Sequence, residues 1–212
     1  MTSASAPASA RGALVLADIT GYTSFLHDVS YAHRDDAFAD GKVPDAYTVI
    51  SSLLDGIVGK LVPPFTLSKL EGDAVFAYAT DASALPHGQK VFDCIEACYA
   101  DFRQRVDTAH SVWQCWCEAC SRIDELDLKF VLHAGPFVIQ SIAGGAELVG
   151  SEVVIAHRLL KSRAAELVGS TAFALVTDAA SGLLDVPSAG GVPIVETYEP
   201  SPPVGGRAFA LR

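Results

Sequence analysis

Apolar positions along this chain fall into short unbroken runs and into helical stripes, and the two alternate over most of its length. The first run, Leu14-Val15-Leu16-Ala17, ends at Asp18-Ile19 and turns through Gly21, which predicts a buried strand with a carboxylate at its tip. Tyr22 to Val29 continues as the start of a helix. Residues 30–43 carry mixed charge without a clean period, so an irregular or partly helical insertion is expected there. From Asp45, the positions Val49, Ile50, Leu53, Leu54, Ile57, Val58 and Leu61 recur at helical spacing, and Pro63-Pro64 stops the helix. Two apolar-rich runs within residues 65–79 meet at Gly72-Asp73, the pattern of a hairpin with a carboxylate at its turn.

Pro86 and Gly88 open a second helical pattern with Val91, Cys94, Ile95, Cys98 and Phe102 on its apolar stripe. Residues 107–124 lose the period and are expected to form a loop held by something other than its own core. The stretch 126–139 alternates and reads as two strand segments meeting at Gly135-Pro136. A helix is expected over 151–167, with Ser151 as N-cap and Glu152 in its first turn. Strands at 172–177, 192–198 and 206–211, separated by Pro- and Gly-rich turns, complete the chain.

The resulting order, strand, helix, hairpin, helix, hairpin, helix, strand, predicts an α+β fold. Its core is a ferredoxin-like βαββαβ unit with C-terminal strand extensions, an α/β sandwich with helices covering one face of a mainly antiparallel sheet. With 212 residues and neither repeat nor linker, the organisation expected is a disordered N-terminus over 1–11 and a single domain over 12–212. In that topology the first strand and the first hairpin are neighbours, so Asp18 and Asp73 converge. Two bare carboxylates about 4 Å apart repel by roughly 4 kcal/mol at an effective dielectric near 20, a repulsion that a proton or a divalent cation relieves.

Half of the residues are apolar and the formal charge is −10. The mean hydropathy is +0.31 and the pI near 4.9. Such a balance argues against disorder and against broad electrostatic attraction to nucleic acid or an anionic membrane. A phosphate ligand would have to be attracted locally, and the small residues Thr20 to Ser24 offer backbone N–H groups at a helix start for that purpose. The polar first ten residues and the short Ala13 to Ala17 run do not read as a signal peptide, and no stretch reads as a membrane span, so a cytoplasmic protein is expected.

Four stretches in order, Ala17-Asp18-Ile19-Thr20-Gly21-Tyr22-Thr23, Lys69-Leu70-Glu71-Gly72-Asp73-Ala74, His133-Ala134-Gly135-Pro136 and Gly150 to Leu159, resemble the catalytic domain of class III nucleotidyl cyclases. The Glu71-to-Phe76 stretch, the cysteines of 115–120 and Ala156-His157-Arg158-Leu159-Leu160-Lys161 resemble still more a bacterial cyclase-like family of unknown function. The cyclase resemblance implies conversion of a nucleoside triphosphate to a 3′,5′-cyclic nucleotide and pyrophosphate with two Mg²⁺ or Mn²⁺ ions. It implies Asp18, Asp73 and the Ile19 carbonyl as metal ligands, and Thr20, Gly21, Tyr22 and Thr23 as the triphosphate cradle. Lys69 and Glu147 become base-reading residues, and Arg158 stabilises charge on the transferred phosphorus. A homodimer that completes the site is implied as well.

One position departs from the family. Val154 stands where active cyclases carry a ribose-orienting asparagine, a loss of the kind that costs about 10²–10³ in rate. Ser151 and His157 are the candidates to replace it, and Arg207 is the nearest counterpart of a second phosphate-binding lysine. The departure keeps open a second class of function, a catalytically inactive module that binds nucleotide or another ligand and signals by dimerising. A third reading starts from the five cysteines, an odd number, of which Cys115, Cys117 and Cys120 crowd one short stretch. Three thiolates so spaced suit Zn²⁺ or an iron–sulfur cluster, in a metal or redox sensor, with His110, Cys98 or Cys94 as fourth ligand.

Overall fold

The computed structural model describes residues 7–38, 41–80, 85–113, 115, 117–143, 145–187 and 189–212. Its elements run β1 (Ala8–Thr20), α1 (Tyr22–Ala32), a π-turn (Arg34–Phe38), α2 (Asp45–Leu61), β2 (Thr66–Glu71), β3 (Ala74–Ala79), α3 (Gln89–Val112) and α4 (Glu118–Ser121). A 3₁₀ turn (Arg122–Glu125) then leads into β4 (Asp127–Ile142), β5 (Gly145–Val149), α5 (Ser151–Leu159), α6 (Ala164–Val168), β6 (Phe173–Thr177), α7 (Asp178–Leu184), β7 (Val192–Glu196) and β8 (Val204–Ala210). The strands form one sheet ordered β2-β3-β1-β4-β6-β8-β7, with β5 folded back on β4. All pairings are antiparallel except β4 with β6. The architecture is the expected α+β fold around a βαββαβ core.

The sheet has apolar residues on both faces because β1 is apolar at every position from Ala13 to Ala17. Ala13, Val15, Ala17 and Ile19 point into the larger core, against Ile50, Leu53 and Ile57 of α2, Ile95, Phe102 and Val106 of α3, and Ala180 and Leu184 of α7. Leu14 and Leu16 point the other way, toward Phe76, Val131, Ala156, Leu159 and Ala164. Helices therefore lie on both faces, with α1, α2, α3 and α7 on one and α5 and α6 on the other, which corrects the expectation of a single helical layer.

Other boundaries are corrected too. Residues 8–11, expected to be disordered, extend β1, because β4 is long enough to pair with them from Ala8↔Ile139 to Arg11↔Pro136; residues 1–6 of that expected tail lie outside the described residues. Gly135-Pro136 does not separate two strands. β4 runs through it, since Pro136 falls between the β6 ladder, which ends at Leu132, and the β5 ladder, which starts at Val138, where a missing N–H breaks no bond. The expected 107–124 loop is largely helical: α3 continues to Val112, and α4 and the 3₁₀ turn occupy 118–125. The expected 151–167 helix breaks after Leu159, where the Glu196 carboxylate accepts the Arg163 N–H at 3.1 Å and starts α6 afresh. α7 was not expected; Thr177 caps it, its hydroxyl accepting the Ala180 N–H at 3.3 Å.

Candidate active site

The tip of β1 and the β2–β3 turn meet as their sequences require. Gly72 takes φ +67° at the first central position of a two-residue hairpin turn, as a type II′ turn demands, and this leaves Asp73 beside the end of β1. Asp18 pairs with Ala74 in register, and the Ile19 N–H donates to the Asp73 carbonyl at 3.3 Å. Both main-chain groups of a strand residue point to the same side, so the Ile19 carbonyl is also directed toward the Asp73 turn. Burial, and next to it the negative charge of Asp18, push the Asp73 carboxyl above the usual range, while its own main chain and Lys129 pull it back. The Asp18 charge thus reaches the Asp73 carboxyl.

Sequence reasoning missed the cation beside Asp18. Lys129 lies directly across from Asp18 on β4, and its Nζ meets Asp18 Oδ2 at 2.8 Å, with the two side chains 19% and 16% exposed. A lysine on an alternating strand ordinarily faces water, so nothing in the local pattern marks it. What could have found it is the antiparallel register, which opposes residues 18 and 129.

Beyond Asp18 the chain turns through Gly21, whose φ of +88° suits glycine, and enters α1. No side chain caps α1, and its first intrahelical bond is from Phe25 N–H to the Gly21 carbonyl at 3.0 Å. The N–H groups of Tyr22, Thr23 and Ser24 consequently have no acceptor within the helix. The Thr20 hydroxyl, on the Asp18 face of β1, is buried without a hydrogen-bond partner among the described residues. The Tyr22 hydroxyl is raised above its ordinary range by burial and then by the Asp73 charge, which puts the start of α1 within electrostatic reach of the acids.

Lys69 and Glu147 come together, although 78 residues separate them: Lys69 Nζ meets Glu147 Oε2 at 2.8 Å. Lys69 also meets Glu71 Oε1 at 3.2 Å. These two carboxylates, Glu147 first, hold the Lys69 ammonium above its ordinary range. His157 Nε2 contacts Glu71 Oε2 at 2.7 Å and its Nδ1 donates to the Val153 carbonyl at 2.7 Å. A polar cluster of Lys69, Glu71, Glu147 and His157 therefore links β2, β5 and α5.

Arg158 does not join the acids of its own chain. Its guanidinium donates to the Glu199 carbonyl at 3.4 Å and lies 5.7 Å from the Tyr198 ring centroid. Val154, one turn earlier, is 52% exposed and offers no polar atom. Neither candidate replacement is free: Ser151 donates to Glu152 at 3.1 Å, and His157 is held as described. Arg207 is engaged by the Gly191 carbonyl. His133 is a buried structural histidine, 2.8 Å from Glu152 and 3.0 Å from the Thr177 hydroxyl.

Cys115, Cys117 and Cys120 gather around His33 at the end of α1, with the four donor atoms within 4.8 Å of one another. None of the fourth ligands expected from sequence is in this group. Cys94 and Cys98 lie on α3, where burial raises both thiols, Cys98 to about 12. Burial also opposes ionisation of Cys117, but hydrogen bonds from the Cys120 N–H, Cys120, Cys115 and His33 outweigh it and bring the thiol down to about 7. Cys120 is raised, by burial first and then by its cysteine neighbours.

Residues 50–167 match the model of a family described as a protein of unknown function, DUF2652. An uncharacterized protein of Mycobacterium tuberculosis is 30% identical over 137 residues, which are 65% of this chain and 59% of that protein. The match thus spans less than two thirds of the relative's length. Among solved structures, a guanylyl cyclase superposes with a TM-score of 0.64 at 11% identity, covering 98% of this chain and 96% of its own. The adenylyl cyclase CyaB of P. aeruginosa gives 0.61 at 15% identity, with 98% of each chain covered. A class III adenylyl cyclase-like ATP-binding protein from Pseudomonas aeruginosa gives 0.59 at 13% identity, covering 87% of this chain and 36% of that one. At these identities the likeness establishes the class III cyclase fold. No helix among the described residues is long and apolar enough to cross a membrane.

Proposed function

The chain belongs to the DUF2652 family, and from that premise we propose that it is a nucleotidyl cyclase, converting a nucleoside triphosphate to a 3′,5′-cyclic nucleotide and pyrophosphate. The observation that carries this reading is the meeting of Asp18 and Asp73 at adjacent strand ends, beside an uncapped helix start. The donor set suits divalent cations: two hard carboxylates, one raised by the charge of the other, with the Ile19 carbonyl directed toward the Asp73 turn. Asp18, Asp73 and Ile19 would hold two Mg²⁺ or Mn²⁺ ions. Bound there, the ions would supply Lewis-acid activation of the ribose 3′-hydroxyl and neutralise charge on the triphosphate.

The protein's own groups complete the arrangement. The Tyr22, Thr23 and Ser24 N–H groups and the orphaned Thr20 hydroxyl face the polyphosphate, and the α1 dipole favours its negative charge. Lys129, once released from Asp18, places an ammonium beside the same phosphates. Lys69 and Glu147 present one donor and one acceptor side by side, as reading a base edge requires. Arg158, exposed and turned away from the acids of its own chain, serves the site of a second copy, so the working unit is a homodimer.

Incubating the purified protein with each of four nucleoside triphosphates and Mn²⁺, then searching for cyclic product by mass spectrometry, tests the reading. Product from at least one is expected. None from folded, dimeric protein would remove it.

Val154 favours a second reading, a module that binds nucleotide without turning it over. In that case nucleotide with Mn²⁺ raises the melting temperature while no product forms, and Asp18→Ala abolishes the rise. Because Val154 is 52% exposed, an asparagine fits there without repacking. Val154→Asn is expected to raise turnover by about 10²-fold, the worth of one preorganised polar group. An unchanged rate would show that ribose orientation is not what limits the protein.

A further inference from the structure

We propose that His33, Cys115, Cys117 and Cys120 form a closed structural zinc site that fastens the end of α1 to the segment between α3 and β4. The four donor atoms are gathered on the scale of one ion's coordination shell. With Zn–S near 2.3 Å and Zn–N near 2.0–2.1 Å, the edges of a tetrahedral centre come to about 3.5–3.8 Å. His33 Nε2 lies 3.3 Å from Cys120 Sγ, 3.3 Å from Cys117 Sγ and 3.6 Å from Cys115 Sγ. No donor atom of the four is farther than 4.8 Å from another. One nitrogen at 3.3–3.6 Å from three sulfurs is what a single shared ion produces.

The donor set selects the metal. Three thiols and one imidazole match zinc, whereas an iron–sulfur cluster takes its thiolates around several metal atoms and needs them spread farther apart. Four protein donors leave no open position, so the centre is structural. A local device supports the thiolates: in Cys117-Glu118-Ala119-Cys120 the Cys120 N–H donates to Cys117 Sγ at 3.4 Å, and Cys117 is the N-cap of α4. All five cysteines are unpaired by disulfides, and Cys120 is buried.

The site joins parts of the chain that have little else in common. His33 is 82 residues from Cys115 in sequence, and among the described residues a further polar tie across this junction is Arg122 to Asp28 at 2.9 Å. α1 has only Phe25 and Val29 buried, so its own apolar face anchors it weakly. The ion fixes the C-terminal end of the helix whose other end begins at Gly21. This inference stands whether or not the protein is a cyclase, because no part of it uses Asp18 or Asp73.

Metal analysis of the full chain purified with zinc in the medium is expected to give one zinc per chain and no iron. Cobalt exchanged into it should show the visible absorption of a tetrahedral cobalt–thiolate centre. His33→Ala and Cys117→Ser are expected to lose the metal, His33→Cys to keep it by restoring a fourth soft donor, and Cys98→Ala and His110→Ala to keep it unchanged. Should the depleted variants fail to fold, the wild-type protein gives the answer through alkylation mapped by mass spectrometry. Zinc should protect Cys115, Cys117 and Cys120 and leave the reactivity of Cys94 and Cys98 as it was. A protein without bound zinc after supplementation, stoichiometric iron, a His33→Ala variant that retains its zinc, or five thiols indifferent to zinc would each overturn the proposal.

Discussion

Asp73→Asn is expected to abolish cyclic-nucleotide formation by about 10³-fold or more while making the metal-free protein more stable at neutral pH. The first effect follows from removing one of two carboxylates able to hold divalent ions at the reacting phosphate. The second follows from the direction in which Asp73 is shifted. Burial and the neighbouring charge of Asp18 raise its carboxyl in the folded chain above its unfolded value. The folded state therefore binds the Asp73 proton more tightly than the unfolded state does. Its contribution to stability is fully present below the ordinary aspartate range, near pH 3.9, and is lost as pH rises through the folded value. At neutral pH the ionised side chain is a burden, and an amide of the same shape removes it.

Solvent at the half-buried turn screens part of the repulsion, so the expected gain is a melting temperature higher by roughly 2–4 °C, what about 1 kcal/mol is worth at this chain length. The gain should shrink as the pH is lowered through the raised folded value of Asp73 and be gone below the ordinary aspartate range, where both proteins carry a neutral group. Thermal melts of chelated protein across pH, beside the product assay, measure both halves. A less stable Asp73→Asn variant would mean that Asp18 and Asp73 do not meet as like charges, and the proposed site would lose its centre.

Much of this centre was legible from sequence because its signals are local. An apolar run closing on Asp18 and a Gly72-Asp73 turn each have one structural reading, and the βαββαβ order makes them neighbours. The resemblance names Lys69 and Glu147 separately as base-reading residues, and their 2.8 Å bond to each other is what the structure adds. What stayed hidden depends on partners distant in the chain. His33 sits in a mixed-charge stretch without period, and only the packing of α1 on α4 brings it to the cysteines. The break between α5 and α6 is made by Glu196, more than thirty residues later. Pro136 was read as an interruption, because a strand's tolerance of proline depends on which ladders flank it. Lys129 belongs with these, and it is the omission with the largest consequence.

Lys129→Met is expected to act opposite to Asp73→Asn, lowering the stability of the metal-free protein and increasing its response to Mn²⁺. The ammonium lies 2.8 Å from Asp18 and also draws down the Asp73 carboxyl, so it is the compensating charge for both acids. Methionine keeps most of the aliphatic stem and deletes only the charge. Breaking a fully buried pair costs about 3–5 kcal/mol; with both side chains partly exposed, about 2 kcal/mol is expected, a fall of roughly 4–8 °C.

Mn²⁺ should recover more stability in the variant than in the wild type, since the cation then enters a pair of uncompensated carboxylates instead of displacing an ammonium. By the same reasoning, Mn²⁺ titrated without nucleotide should bind Lys129→Met more tightly. With nucleotide present the order should reverse, because the displaced lysine would then have faced phosphate, and turnover should fall. The double variant Lys129→Met/Asp73→Asn should regain part of the lost stability, a non-additivity expected only if the three charges share one site. Strict additivity of the two stability changes, or equal Mn²⁺ affinity in wild type and variant, would separate Lys129 from the acids and return it to the role of an ordinary strand lysine.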